Sequence, residues 1–169
     1  MKRTYRKSLG KSQRKLVAAA EAAMKTSYSP YSGFAVGAAL MTCGGKIIAG
    51  SNVENAAYGS TICAERAALV RANVMGNRSF KSLAIVAGPV RRGRSARGCV
   101  AAPCGACRQM LFEASRIAGR DLEVILLGAD RKTVVLTSIS ELLPLGFFLC
   151  KSAAGKSRAK VAAGSKGKP

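Results

Sequence analysis

Apolar and small residues at Leu16, Ala19, Ala20, Ala23 and Met24 recur at helical spacing along one face. The pattern predicts a first helix from Ser12, a residue able to cap it, to about Thr26–Ser27, ahead of Pro30. The period then changes. Phe34 to Met41 is an apolar run of strand length, and Lys46 to Val53 resumes after Gly44-Gly45. Two such runs joined by residues that tolerate positive φ predict a β-hairpin. Residues 63–72, Cys-Ala-Glu-Arg-Ala-Ala-Leu-Val-Arg-Ala, are strong helix formers, with Gly76 placed to end the helix. Leu83 to Ala87 predicts a short buried strand, and Pro103 opens a helix that should stop at Gly119. Glu123–Leu127 and Thr133–Thr137 read as strands about a turn at 128–132. Ser138 and Glu141 form a capping box for a short helix closed by Pro144. This order predicts an α/β fold, a mixed sheet of about five strands with helices on its faces.

The chain has 169 residues, enough for one domain with a genuine core. No apolar run reaches the length of a membrane span. The basic N-terminus lacks the apolar stretch of a secretory signal. With that, six cysteines suggest a reducing compartment, and a cytoplasmic location is expected; an organelle-targeting N-terminus is the alternative. The net charge of +20 is uneven. Residues 1–15 carry seven Lys/Arg and residues 151–169 carry six, neither segment holding an acid. The division expected is a basic tail at 1–11, one domain at 12–150 and a basic disordered tail at 151–169. The tails are candidates for weak polyanion or nucleic-acid contact. A second basic feature, the four-arginine stretch at 90–98, reads as a surface loop.

There is no histidine. That removes catalytic triads, HExxH metal sites and imidazole acid–base chemistry, leaving cysteine and carboxylate. Cys104 and Cys107 form a C-x-x-C pair behind Pro103, and Cys63 stands about forty residues upstream, followed two residues later by Glu65. Three thiolates with a water as fourth ligand fit an open zinc site better than a closed structural one. If Cys63 and Cys104 begin helices, the dipoles ease ionisation of both thiols. Glu65 can reach the bound water without being a ligand. Three thiolates leave the centre negative, and Arg66 is the nearby cation able to offset it by donating to the sulfurs. Cys99 is a possible competing ligand.

The order C-A-E…P-C-x-x-C resembles the three-cysteine form of the zinc nucleobase deaminase signature. With Tyr28-Ser-Pro-Tyr-Ser-Gly-Phe, Asn52-Val-Glu-Asn-Ala-Ala-Tyr58 and Glu141-Leu-Leu-Pro-Leu-Gly-Phe, the chain is similar to the small homotetrameric cytidine deaminases of pyrimidine salvage. The resemblance implies a three-layer α-β-α fold. It also implies one Zn²⁺ per subunit on Cys63, Cys104 and Cys107, with Glu65 shuttling protons to the pyrimidine N3 and the departing ammonia. Phe34 would stack on the base, Asn52 and Glu54 would bind the ribose hydroxyls, and the Ala64 backbone would read the base edge. Tyr58 and Phe147 would lie at subunit contacts, Phe147 reaching a neighbour's site. The implied activity is deamination of cytidine and 2′-deoxycytidine. Rival readings are a deaminase of a nucleoside-analogue antibiotic or of cytosine in RNA, and a nucleic-acid-binding protein with a structural zinc. Asn52 and Glu54 together favour a free ribose, and Glu65 argues against a non-enzyme.

Overall fold

The computed structural model describes residues 1–90 and 99–149. The C-terminal tail at 151–169 and all but Val90 of the arginine loop lie outside the described residues. The chain begins with strand β1 (Lys2–Tyr5) and a 3₁₀ turn (Arg6–Ser8), followed by helix α1 (Lys11–Met24) and the hairpin β2 (Phe34–Thr42) and β3 (Ile47–Ser51). Helix α2 (Ala64–Val74), β4 (Phe80–Pro89), α3 (Gly105–Ala118), β5 (Glu123–Leu127), β6 (Thr133–Ser138) and α4 (Ile139–Leu142) complete it.

Six strands, not about five, form one sheet in the order β1-β6-β5-β4-β2-β3. The extra strand comes from the segment read as a basic tail. β1 lies antiparallel to β6, with Lys2 opposite Leu136 and Tyr5 opposite Thr133. Its residues are exposed or half-buried, so it has no apolar alternation to betray it, and the backbone ladder to β6 holds it in place. Leu9, just beyond, is only 2% exposed and packs in the core. Burying such a side chain stabilises the fold by about 2 kcal/mol, so the segment before α1 belongs to the domain. Helix α1 starts after Gly10 and not at Ser12: the Gln13 side chain accepts the Gly10 N–H at 3.0 Å, which leaves Ser12 Oγ against Met41 Sδ at 3.3 Å.

Only β4 and β5 run parallel, joined by the crossover through α3. β4 is central and buried on both faces, which explains its unbroken apolar run Leu83-Ala-Ile-Val-Ala87. Alternation along the inner strands then divides two cores. Ala39, Met41, Ala84, Val86, Ile125 and Leu127 pack with Leu16, Val17 and Ala20 of α1. Ala38, Leu40, Leu83, Ile85, Val124 and Leu126 pack beneath α2 and α3. The result is an α-β-α sandwich, one helix on one face and three on the other.

Two glycines set the layer spacing. A Cβ at Gly37 of β2 would stand 2.0 Å from the Ala20 carbonyl oxygen of α1, and one at Gly50 of β3 would stand 2.5 Å from the Ala68 nitrogen of α2. Both helices therefore press directly on strand backbone, where only glycine leaves room.

Candidate metal centre and active site

Helices α2 and α3 both begin at one end of the sheet, and each is opened by a cysteine. Cys63 is the N-cap residue of α2 and Cys104 that of α3, in extended backbone conformation (ψ 152° and 170°). Cys107 falls in the first turn of α3 and is fully buried. The three sulfurs lie within 4.8 Å of one another, with Cys63 and Cys104 Sγ 3.9 Å apart. Two thiolates on a tetrahedral zinc, each at about 2.3 Å, stand about 3.8 Å apart, so the spacing fits a shared ion. Cys99 is exposed and outside this cluster.

Desolvation raises the Cys63 thiol pKa above its ordinary value, as do the charges of Glu65 and Cys104. It raises Cys107 further, with Glu65 adding to the effect. Cys104 is also desolvated but ends below the usual thiol value, because the N–H groups of Cys107 and Ala106 at the helix start favour its thiolate. Burial thus disfavours ionisation of two of the three thiols, a cost that a bound divalent metal would offset. The protein alone would not choose to concentrate this charge.

Glu65, the second residue of α2, is 5% exposed. Burial pushes its carboxyl up, opposed by its own backbone N–H, by Cys107 and by the Arg66 charge. A carboxyl whose pKa is raised by burial holds a proton more readily than a surface glutamate, which suits it to accepting one and returning it. Arg66 donates from Nη2 to the Thr61 carbonyl at 2.6 Å, and its Nε–H is buried without a partner. That donation goes to Thr61 and not to a sulfur. The orphaned Nε–H leaves a cationic donor next to Glu65, consistent with a negatively charged centre.

The loop before α2 is fixed on both sides. Val53 and Ile62 exchange two backbone bonds of 2.9 Å, and Tyr28 and Glu54 hold the other edge at 2.8 Å. Asn52 is buried and bonded to the protein. Its Oδ1 accepts from Ser27 Oγ at 2.6 Å and from the Val36 N–H at 2.8 Å, while Nδ2 donates to the Phe34 carbonyl at 3.0 Å. Asn52 therefore locks the start of β2, where Phe34 stands half exposed. Glu54 accepts from the N–H groups of Tyr31 (3.0 Å) and Ser32 (3.2 Å) and from the Ser32 hydroxyl. The Ser32 hydroxyl bond and these N–H groups hold its carboxyl below the usual range. Ser32 Oγ in turn accepts the Phe34 N–H at 3.0 Å. Glu54 and Tyr58 share a cavity of about 380 Å³ with Tyr31, Ser32 and Thr61, and the Tyr31 and Tyr58 rings meet edge to face at 5.9 Å. Ala64 is the first residue of α2, where backbone N–H groups have no intrahelical acceptor.

Phe147 is 70% exposed, yet its backbone is fixed. Gln109 of α3 accepts the Phe147 N–H at 3.0 Å and donates to its carbonyl at 2.7 Å. Phe148 packs on Phe112, with the Arg116 guanidinium 4.7 Å from its ring centre. Arg108 Nε donates to the Pro103 carbonyl (2.8 Å) and Nη1 to that of Leu142 (3.1 Å), tying the cysteine turn to α4. Ser27, Ser32, Arg108 and Gln109 also shape the site through the bonds above. Arg108 and Gln109 directly follow Cys107 in the chain, and that adjacency is the one signal the sequence offers for them.

A sandwich with three clustered cysteine sulfurs and a buried carboxyl at two converging helix starts has the arrangement of a hydrolytic metalloenzyme of the nucleobase-deaminase class. Residues 11–119 match the family described as the cytidine and deoxycytidylate deaminase zinc-binding region, and the chain belongs to that family. It is 48% identical over 102 residues to a cytidine deaminase of Sporosarcina psychrophila, covering 59% of this chain and 67% of that protein. It is 41% identical over 132 residues to one of Halalkalibacterium halodurans, covering 78% and 91%. The crystal structure of cytidine deaminase from Burkholderia pseudomallei superposes with a TM-score of 0.67 at 43% identity, covering 79% of this chain and 98% of that one.

Proposed function

We propose that this chain hydrolyses cytidine and 2′-deoxycytidine to the corresponding uridines with release of ammonia. The observation that carries this reading is the cluster of Cys63, Cys104 and Cys107 sulfurs with the buried Glu65 carboxyl beside it. The three cysteines would hold Zn²⁺, which when bound supplies Lewis-acid activation of water. Glu65 accepts a proton from the attacking water and delivers it to N3 of the ring; it then takes the remaining proton of the new C4 hydroxyl and passes it to the amino group, which leaves as ammonia when the C4–N bond breaks. Phe34 offers its half-exposed ring to the base face. Glu54, held ionised by Ser32 and two N–H groups, accepts from a ribose hydroxyl, and Asn52 fixes the strand from which Phe34 projects. The free N–H groups at Ala64 face the base edge, and Arg66 offsets the thiolate charge.

The wide exposure of Tyr58 and Phe147 supports their burial against further copies of the chain, so the active form is a homo-oligomer, a tetramer by family likeness. Among the described residues no helix is long and apolar enough to cross a membrane. All five described cysteines are free thiols, which supports a cytoplasmic setting. The basic N-terminal segment makes weak polyanion contact.

Glu65→Gln keeps the shape of the side chain and removes its proton chemistry. It should lower kcat for cytidine by at least about 10³-fold, while metal analysis still finds about one zinc per chain. Retention of near wild-type turnover would overturn the assignment.

A further inference from the structure

On the α1 face of the sheet, opposite the cysteines, a cavity of about 520 Å³ opens between α1 and the adjoining ends of β2 and β4. Strand alternation places it there. Phe34, Val36 and Ala38 of β2 turn toward the α2 and α3 side, whereas Ala35, on the cavity wall, shares the side of Gly37 and Ala39. One wall is apolar, formed by Met24, Ala35 and Pro89. The others carry Lys25 and Arg131. Glu21 also lines the space, but its carboxylate is gripped by both terminal nitrogens of Arg6 at 2.8 and 2.6 Å, so its charge is already answered. The two remaining cations, Lys25 and Arg131, have no acid partner among the described residues.

Arg131 is unusual on two counts. Its Nη1 is buried with no hydrogen-bond partner, and its Nη2 meets only the Met24 sulfur at 3.1 Å, a weak acceptor. A buried guanidinium N–H without an oxygen acceptor is costly, since the charged group has given up water for nothing equivalent. Arg131 is also the one non-glycine residue with positive φ (58°) among the described residues. The turn is built by Asp130, which accepts from the Lys132 and Thr133 N–H groups at 2.9 Å. Glycine or asparagine at position 131 would make that turn with less strain. Neither would place a guanidinium in the cavity.

We propose that this cavity is a binding site for a phosphate-bearing anion, with Arg131 as its bidentate anchor and Lys25 at its mouth. The planar guanidinium fork suits two phosphate oxygens, and a small turn of the Arg131 side chain into the cavity would bring the buried Nη1 to an acceptor as well. The volume exceeds that of a phosphate alone, and the apolar wall accommodates an organic remainder, so both inorganic phosphate and a sugar phosphate fit.

The test is calorimetric titration of the zinc-loaded full chain at fixed ionic strength, with inorganic phosphate in one arm and ribose 5-phosphate in the other. Saturable binding of one anion per chain is expected. Arg131→Gln should weaken it by at least about tenfold, as expected for loss of a bidentate contact. Lys46→Gln makes the same change in net charge in the exposed β2–β3 turn, and should weaken binding less than about twofold, the effect of bulk charge alone. Equal affinity in the two arms identifies free phosphate as the ligand, and tighter binding of the sugar phosphate identifies an ester. Should Arg131→Gln fail to fold, Lys25→Gln on the exposed end of α1 decides, with a loss of about threefold expected against the Lys46→Gln control. Absence of saturable binding in both arms, or equal losses in cavity and control variants, overturns the proposal.

Discussion

Gln109 shows how a single side chain can matter without touching the chemistry. Its amide makes two bonds to the backbone of Phe147, 38 residues away, and so determines where an exposed aromatic is presented. Gln109→Leu keeps the volume and removes both bonds, each contributing roughly 1 kcal/mol. Folding of the single chain should survive, because the residue lies on the outer face of α3. The expected loss is in assembly and in substrate affinity: a lower oligomer fraction at dilution and a KM for cytidine raised several-fold, with kcat less affected. Sedimentation and steady-state kinetics check both, and an unchanged KM in an intact oligomer would remove Phe147 from the neighbour's site. The grouping of Cys63, Cys104 and Cys107 beside Glu65 was legible in the sequence because few residue types could serve such a centre and their spacing is constrained by helix geometry. Gln109, Ser27 and Ser32 were not, because side-chain bonds to a distant backbone leave no local pattern. The Arg66 reading differs in another way. Sequence placed a cation beside the carboxylate, but only the fold shows its Nη2 turned to the Thr61 carbonyl.

At the scale of elements, the position of α2 governs the centre, because Cys63 caps it and Ala64 and Glu65 are its first two residues. Gly50 controls that position. A methyl group there would stand 2.5 Å from the Ala68 nitrogen and 2.9 Å from the Ala64 carbonyl oxygen, so Gly50→Ala must push α2 outward. A cost of about 1–3 kcal/mol is typical for such overpacking, and here it should come with weaker zinc retention and lower kcat. Denaturant unfolding together with metal analysis tests the coupling; a destabilised variant with an undisturbed centre would break it. The β5–β6 turn offers a pH-dependent case. Asp130 is held to a pKa of about 2, chiefly by the Thr133 hydroxyl and by the N–H groups of Lys132 and Thr133. A depressed carboxylate stabilises the fold above its unfolded pKa of about 3.9, and that contribution fades as the pH falls toward 2. Asp130→Ala should therefore lower Tm at pH 7 and converge with the wild type near pH 2. Element by element, strands with two-sided burial or clear alternation were readable, and β5 matched residue for residue. β1 was not, since an exposed edge strand of Lys-Arg-Thr-Tyr is specified by backbone pairing to β6 and has no hydrophobic signature.

Over the whole molecule, charge is what the fold leaves unanswered. The chain carries +20, against which the Met1 amine pairs with Glu141 and Arg6 with Glu21 among the described residues. Four of the other six acids are held elsewhere: Glu54 by Ser32, Asp121 by Ser140, Glu123 by Gln13 and Asp130 by Thr133. Cations such as Lys2, Lys7 and Lys11 are consequently exposed around a segment that β1 fixes to the sheet edge. A fixed positive edge also deters strand-to-strand aggregation. It should bind a short single-stranded oligonucleotide without sequence preference, through counterion release, so that affinity falls steeply with salt. Deleting residues 1–11 is the wrong test, because it would also remove Leu9 from the core. Replacing Lys2, Lys7 and Lys11 together with Gln keeps the backbone ladder and removes three charges. The slope of log K against log salt should then become shallower by about two to three, while turnover of cytidine stays unchanged. An unaltered slope would place the polyanion contact outside the N-terminal edge, and a loss of turnover would tie that edge to the active site instead.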